Sequence, residues 1–143
     1  MKKLLVLLFL GVLLIACSKE DVESINPGDS TNLPAESKLT VLASGDFVKS
    51  GNYNTAGKAE LLRDDAGVNY IRLTSFSVSS GPDLRFYIAT DKAAKDFVEI
   101  SNSVKGGSYA IKLSKPVDLT KTKFLLIWCK QFSVLFGSVE LKY

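Results

Sequence analysis

The sequence predicts an all-β fold, an antiparallel β-sandwich of about eight strands, and three observations carry that reading. Short runs rich in Val, Ile, Leu, Phe and Tyr recur from Leu39 onward at the intervals of sandwiches and barrels. Gly, Pro, Asp and Ser cluster between those runs. Helical signal is confined to Asp91-Lys92-Ala93-Ala94-Lys95-Asp96, about a turn and a half, which reads better as an irregular connection.

Taken in order, the expected strands are Leu39–Ala43 running on toward Phe47-Val48, Ala59–Arg63, Asn69–Leu73, Leu84–Ala89, Phe97–Ile100, Tyr109–Leu113, Phe124–Cys129 and Val134–Leu141. Asp64-Asp65-Ala66-Gly67, Ser79-Ser80-Gly81-Pro82-Asp83, Lys105-Gly106-Gly107 and Lys115-Pro116 supply the turns. Alternation assigns faces. Phe86 and Ile88 oppose Arg85 and Tyr87, while Tyr109, Ile111 and Leu113 oppose Ser108, Ala110 and Lys112. Phe124-Leu125-Leu126-Ile127-Trp128-Cys129 is apolar on both faces, which calls for a central strand covered on both sides.

The N-terminus reads as an address. Met1-Lys2-Lys3 is basic, and 12 of the 13 residues from Leu4 to Ala16 are apolar. That length is short of the ~20 residues needed to span a bilayer and suits a secretory signal peptide, residues 1–16. Leu14-Ile15-Ala16-Cys17 resembles the bacterial lipobox, in which the cysteine receives diacylglycerol. Cys17 is therefore the expected lipidation site, and several acyl chains would hold the protein stably on a lipid bilayer. Residue 18 is Ser, not the Asp of inner-membrane retention, so the expected location is the outer membrane, extracytoplasmic. Lys19-Glu20-Asp21 suits export to the cell surface equally with a plain solvated charge cluster. Residues 17–38 are rich in Ser, Glu, Asp, Asn, Pro and Gly, the composition of a flexible linker with a reach of roughly 25 Å. The folded domain is expected over residues 39–143.

Composition excludes several functions. The 143 residues contain no His, which removes Ser-His-Asp and Cys-His catalysis and histidine-ligated metals. Loss of Lys2 and Lys3 with the leader takes the formal charge from +3 to +1, with no basic cluster left for nucleic acid. No paired-carboxylate site is evident, so a hydrolase is a poor fit.

Several short stretches together resemble a known family. They are Gly45-Asp46-Phe47, Gly57-Lys58-Ala59, Leu73 with Phe76, Gly81-Pro82-Asp83, and Trp128-Cys129 followed by Phe132, Val134, Phe136-Gly137 and Leu141. The family is the DM-thirteen domain, termed an electron-transfer domain, which occurs alone in bacterial lipoproteins. The resemblance covers essentially the whole folded part. It implies electron transfer through one cysteine, acting as a bare thiol or as ligand to a prosthetic group; by match that residue is Cys129. This chain departs from the family at Asn52-Tyr53-Asn54, where a histidine often stands, so Cys129 lacks that second ligand or proton partner.

The residues themselves narrow what Cys129 can do. With Cys17 lipidated it is the one soft donor of the mature chain, too few for copper, Fe–S or c-type haem. Thiolate-ligated haem survives the count but is disfavoured in a domain this small, so no cofactor is expected. A bare thiol needs thiolate character and access, to which the adjoining Lys130 would contribute; a buried structural thiol is the competing reading. Asp64, Asp65 and Asp83 could share a Ca²⁺ if their loops met, although turn formation explains them better. Trp128 with Tyr53, Tyr70, Tyr87 and Tyr109 could line a sugar groove, with core packing the stronger alternative. Gly137 reads as a bulge or a close backbone approach. Two functions stay open: a tethered redox module acting through Cys129 with an unknown redox partner, and a non-catalytic protein- or glycan-binding module in which Cys129 is structural.

Overall fold

A computed structural model describes residues 38–143. The leader, Cys17 and the linker up to residue 37 lie outside the described residues. Nine strands form two antiparallel sheets packed face to face. They are β1 (Thr40–Asp46), β2 (Val48–Lys49), β3 (Thr55–Arg63), β4 (Asn69–Val78), β5 (Leu84–Ala89), β6 (Val98–Ser101), β7 (Gly107–Lys112), β8 (Phe124–Cys129) and β9 (Val134–Glu140). One sheet has the order β1-β3-β4-β7, the other β2-β9-β8-β5-β6. The β-sandwich class holds.

Two differences from the sequence reading have physical causes. The first run splits, because buried Phe47 crosses between the sheets with its amide donating to the Gly57 carbonyl, which leaves β2 on the opposite sheet. β3 and β4 are longer than expected because bulges hide them. The register slips between Ala56 and Lys58 and again between Leu73 and Phe76, where Gly57 and Ser75 have positive φ. A bulge shifts the phase of the period-two pattern, so the apolar residues no longer alternate. Residues 91–96 form turns, the irregular connection the sequence predicts, and the left-handed backbone of Ala94 and Asp96 excludes a helix.

The core lies between the sheets. Leu61, Ile71, Leu73 and Phe76 from one face Phe86, Ile88, Leu125, Ile127 and Val139 from the other. Phe76 sits 4.8 Å from Phe47 and 5.5 Å from Phe86, ring to ring. On one side Ser44 bridges Lys142; on the other, Val117 and Leu119 pack onto the core and Lys115 donates to the Glu99 carbonyl of β6.

β8 is central, as its two-sided apolarity required. Leu125, Ile127 and Cys129 face the core, while Leu126 joins Tyr87 and Ala89 in a smaller outer cluster. That outer face is covered only in part: Phe97 stacks on Tyr87 at 4.1 Å yet stays 45% exposed. The outer face of the other sheet carries Glu60 paired to Arg72 and Lys58 beside buried Leu62 and Tyr70.

The titrating groups predict the pH range of stability. Burial pushes Tyr70, Tyr87 and Tyr109 above the ordinary phenol value, and the Asp64 carboxylate accepting from the Tyr70 hydroxyl adds to it. Burial also acts upward on Glu60, but hydrogen bonds from Arg72 and Lys58 outweigh it and hold the carboxyl low. Raised phenols contribute stability below their unfolded value of about 10, lost as pH climbs through the folded values. The lowered carboxyl contributes above about 4.3 and is lost as pH falls. With no His in the chain, the thermal midpoint should stay nearly level from about pH 5.5 to 9 and drop on both sides. A steep change near pH 6.5 in a melting series would contradict this assignment.

Candidate functional site

The strands divide the sandwich into two ends. The chain enters β1 at Thr40 beside Arg63, at the end that also carries the Asp64 hairpin, the 90–97 connection and Lys123. Apart from Leu141 beside Lys123, most of the family-like segments gather at the other end. There Cys129 closes β8 directly opposite Leu84 of β5 and Val134 of β9. Residues opposite one another on an antiparallel pair share a face, so Leu84 and Val134 flank the thiol on the core side.

Cys129 is 0% exposed and, among the described residues, a free cysteine. Lys130 is exposed, so adjacency in sequence does not put its ammonium beside the enclosed sulfur. The Lys130 amide instead donates to the Asp83 carbonyl at 2.9 Å, tying the end of β8 to the Gly81-Pro82-Asp83 loop. Gly81 is where that loop packs: a Cβ there would lie 2.7 Å from the Leu84 side chain and 3.0 Å from the Phe136 ring. Phe136 in turn stacks on Tyr53 at 3.7 Å. Gly137 proves to be a close approach, since a Cβ there would meet the Thr55 side chain at 2.7 Å; the Thr55 hydroxyl donates to the Phe136 carbonyl. Phe132, at the β8–β9 turn, is 62% exposed. The Gly-Pro-Asp loop and the Trp-Cys segment thus form one packed unit.

Beside it opens a cleft of about 480 Å³ lined by Ser80, Asp83, Asn102 and Lys105, among others. Val78, Leu84 and Val104 form its apolar wall and pack against the core from the other side. Leu84 therefore both lines the cleft and lies opposite Cys129 in the sheet. Asn102 and Lys105 carried no signal in the sequence, because isolated polar loop residues look like any solvated turn.

The other candidates separate. Asp64 spends its carboxylate on the Val68 amide and the Tyr70 hydroxyl, and Asp83 pairs with Arg85 beyond the opposite end of β4. Among the described residues no group of three or more Cys, Asp or Glu comes together. The aromatic groove does not form either. Tyr53 packs on Phe136, Tyr109 donates to the Lys105 carbonyl, Tyr70 bonds Asp64, and only Tyr87 and Trp128 are neighbours, at 6.4 Å. The donor set and the packing do not fit haem, since a ligated iron at Cys129 would have to displace the core side chains enclosing the sulfur.

Residues 46–141, containing the Gly-Pro-Asp loop, the Trp-Cys segment and the cleft beside them, match the family model described as Electron transfer DM13. The chain belongs to that family. No curated protein and no solved structure matches it. Within this DM13 domain the family-like segments are mostly packing devices around Cys129, with the polar cleft at their edge.

Proposed function

We propose that this DM13 domain is an extracytoplasmic, lipid-tethered accessory module of an electron-transfer system. It contributes by binding, and Cys129 serves as a structural thiol. The observation that carries the second part is the complete enclosure of Cys129 among core side chains. Thiol chemistry needs both thiolate and access, and access is missing in the resting fold. Family membership supports the electron-transfer setting. No cofactor, metal or nucleic acid belongs to the proposal.

The tether rests on Leu14-Ile15-Ala16-Cys17. Cys17→Ala should abolish lipid labelling and release the protein from membranes into the soluble fraction. Persistent labelling and sedimentation with membranes would remove the tether from the proposal.

The competing reading keeps Cys129 as a redox thiol. One observation favours it: Leu84, the register partner of Cys129 on β5, also lines an open cleft. Labelling with a small thiol reagent in native and unfolded protein separates the two. Protection that unfolding abolishes supports the structural thiol, and fast native labelling supports the redox thiol.

A further inference from the structure

We propose that the cleft at the far end of the sandwich is a binding site for a neutral, hydroxyl-rich ligand of one or two sugar rings. The proposal deepens the reading of the domain as a binding module and rests on it. Position is the first argument. The chain enters β1 at the opposite end, so a tether to the N-terminus joins the domain far from the cleft and leaves it open.

Chemistry is the second. Asp83 offers a carboxylate whose Oδ1 is held by the Arg85 Nε, leaving Oδ2 to accept from ligand hydroxyls. Exposed Asn102 and Ser80 supply both donors and acceptors, and Lys105, with no ion-pair partner among the described residues, supplies donors only. Asp83 and Glu99 oppose Arg85 and Lys105, so the local charges cancel and neither an anion nor a cation is favoured. The apolar wall of Val78, Leu84 and Val104 suits the C–H face of a pyranose, and the polar groups suit its hydroxyl edge. About 480 Å³ lies within the range of small-molecule sites.

Preorganisation is the third. The Ser79 and Asn54 backbones and the Ser79 hydroxyl bond one another at 2.8 Å, the Tyr109 hydroxyl holds the Lys105 carbonyl at 2.8 Å, and the Lys130 amide holds Asp83. Little loop ordering is left to oppose binding. With no aromatic ring in the cleft, affinity should be on the order of millimolar.

The test is a titration of the isotope-labelled full chain in detergent with glucose, galactose and N-acetylglucosamine, with glucuronate and inorganic phosphate as charged comparators. At least one neutral sugar should give saturable shifts at the amides of residues 79–84 and 102–106. Asn102→Ala and Lys105→Ala, both at exposed positions, should each weaken binding about tenfold while leaving the remaining spectrum in place. No response to any neutral sugar overturns the proposal. So does saturation by the charged probes alone, or binding that survives both substitutions. Neither Cys17 nor Cys129 enters this readout, so its failure is distinguishable from failure of the tether or of the structural thiol.

Discussion

Native Cys129 should react with a small neutral maleimide at least about a thousandfold more slowly than the same residue in urea-unfolded chain. The sulfur has no solvent contact, so reaction must wait for an opening of the β8 end or of the whole domain. Openings of core strands approach the global stability, about 5 kcal/mol or more, and each 1.4 kcal/mol is about tenfold in rate. The measurement uses a Cys17→Ala protein, which leaves Cys129 as the sole thiol of the chain. Leu84→Ala should then raise the native rate by about tenfold or more, because it removes the side chain that lines the cleft opposite the thiol. Ile71→Ala, a distant core truncation in the same range of cost, should change it less. Native labelling within about tenfold of the unfolded rate would reverse the assignment and put the redox thiol first.

Gly57→Ala should destabilise the domain by about 3 kcal/mol or more. Gly57 has φ +115°, a backbone region that L side chains rarely adopt, and it forms the bulge of β3. A Cβ there would stand 2.8 Å from the Phe76 Cα and 2.9 Å from the carbonyl oxygens of Thr74 and Ser75. These are backbone atoms of the paired strand and cannot rotate away. The Gly57 carbonyl also receives the Phe47 amide at the sheet crossing, so distortion spreads to both sheets. Gly67→Ala is the control. Its φ is +84° but nothing lies within 4 Å, so it should cost only about 1 kcal/mol of strain. Urea midpoints measure both; equal losses would show that the close packing at Gly57 carries no weight.

The candidate site was legible in part. Cys129 was singled out by the family resemblance, and a chain without His leaves no other soft donor once Cys17 is taken as the proposed lipidation site. Its burial was not decided by that count. A cysteine at the end of an apolar strand can point to either face, and the face was fixed by the register with Leu84 and Val134. The cleft was invisible for a different reason. Asp83 sits in the β4–β5 connection and Asn102 and Lys105 in the β6–β7 connection, and only the sheet order brings those two connections to one rim.

By itself the sequence determined the all-β class, the antiparallel faces of β5 and β7, and the central place of β8. These depend on period-two patterning and on turn residues, which act within a few positions along the chain. It also determined the exclusions, because the absence of His holds whatever the fold. Tertiary structure alone decided where β3 and β4 begin and end, since bulges shift the phase that local pattern reading follows. It decided that Phe47 crosses between sheets, that the tyrosines scatter, and that Leu84 lines an open cleft opposite a closed thiol. Each of these depends on which strands lie side by side, and that is set by burying the core as a whole rather than by neighbours in sequence.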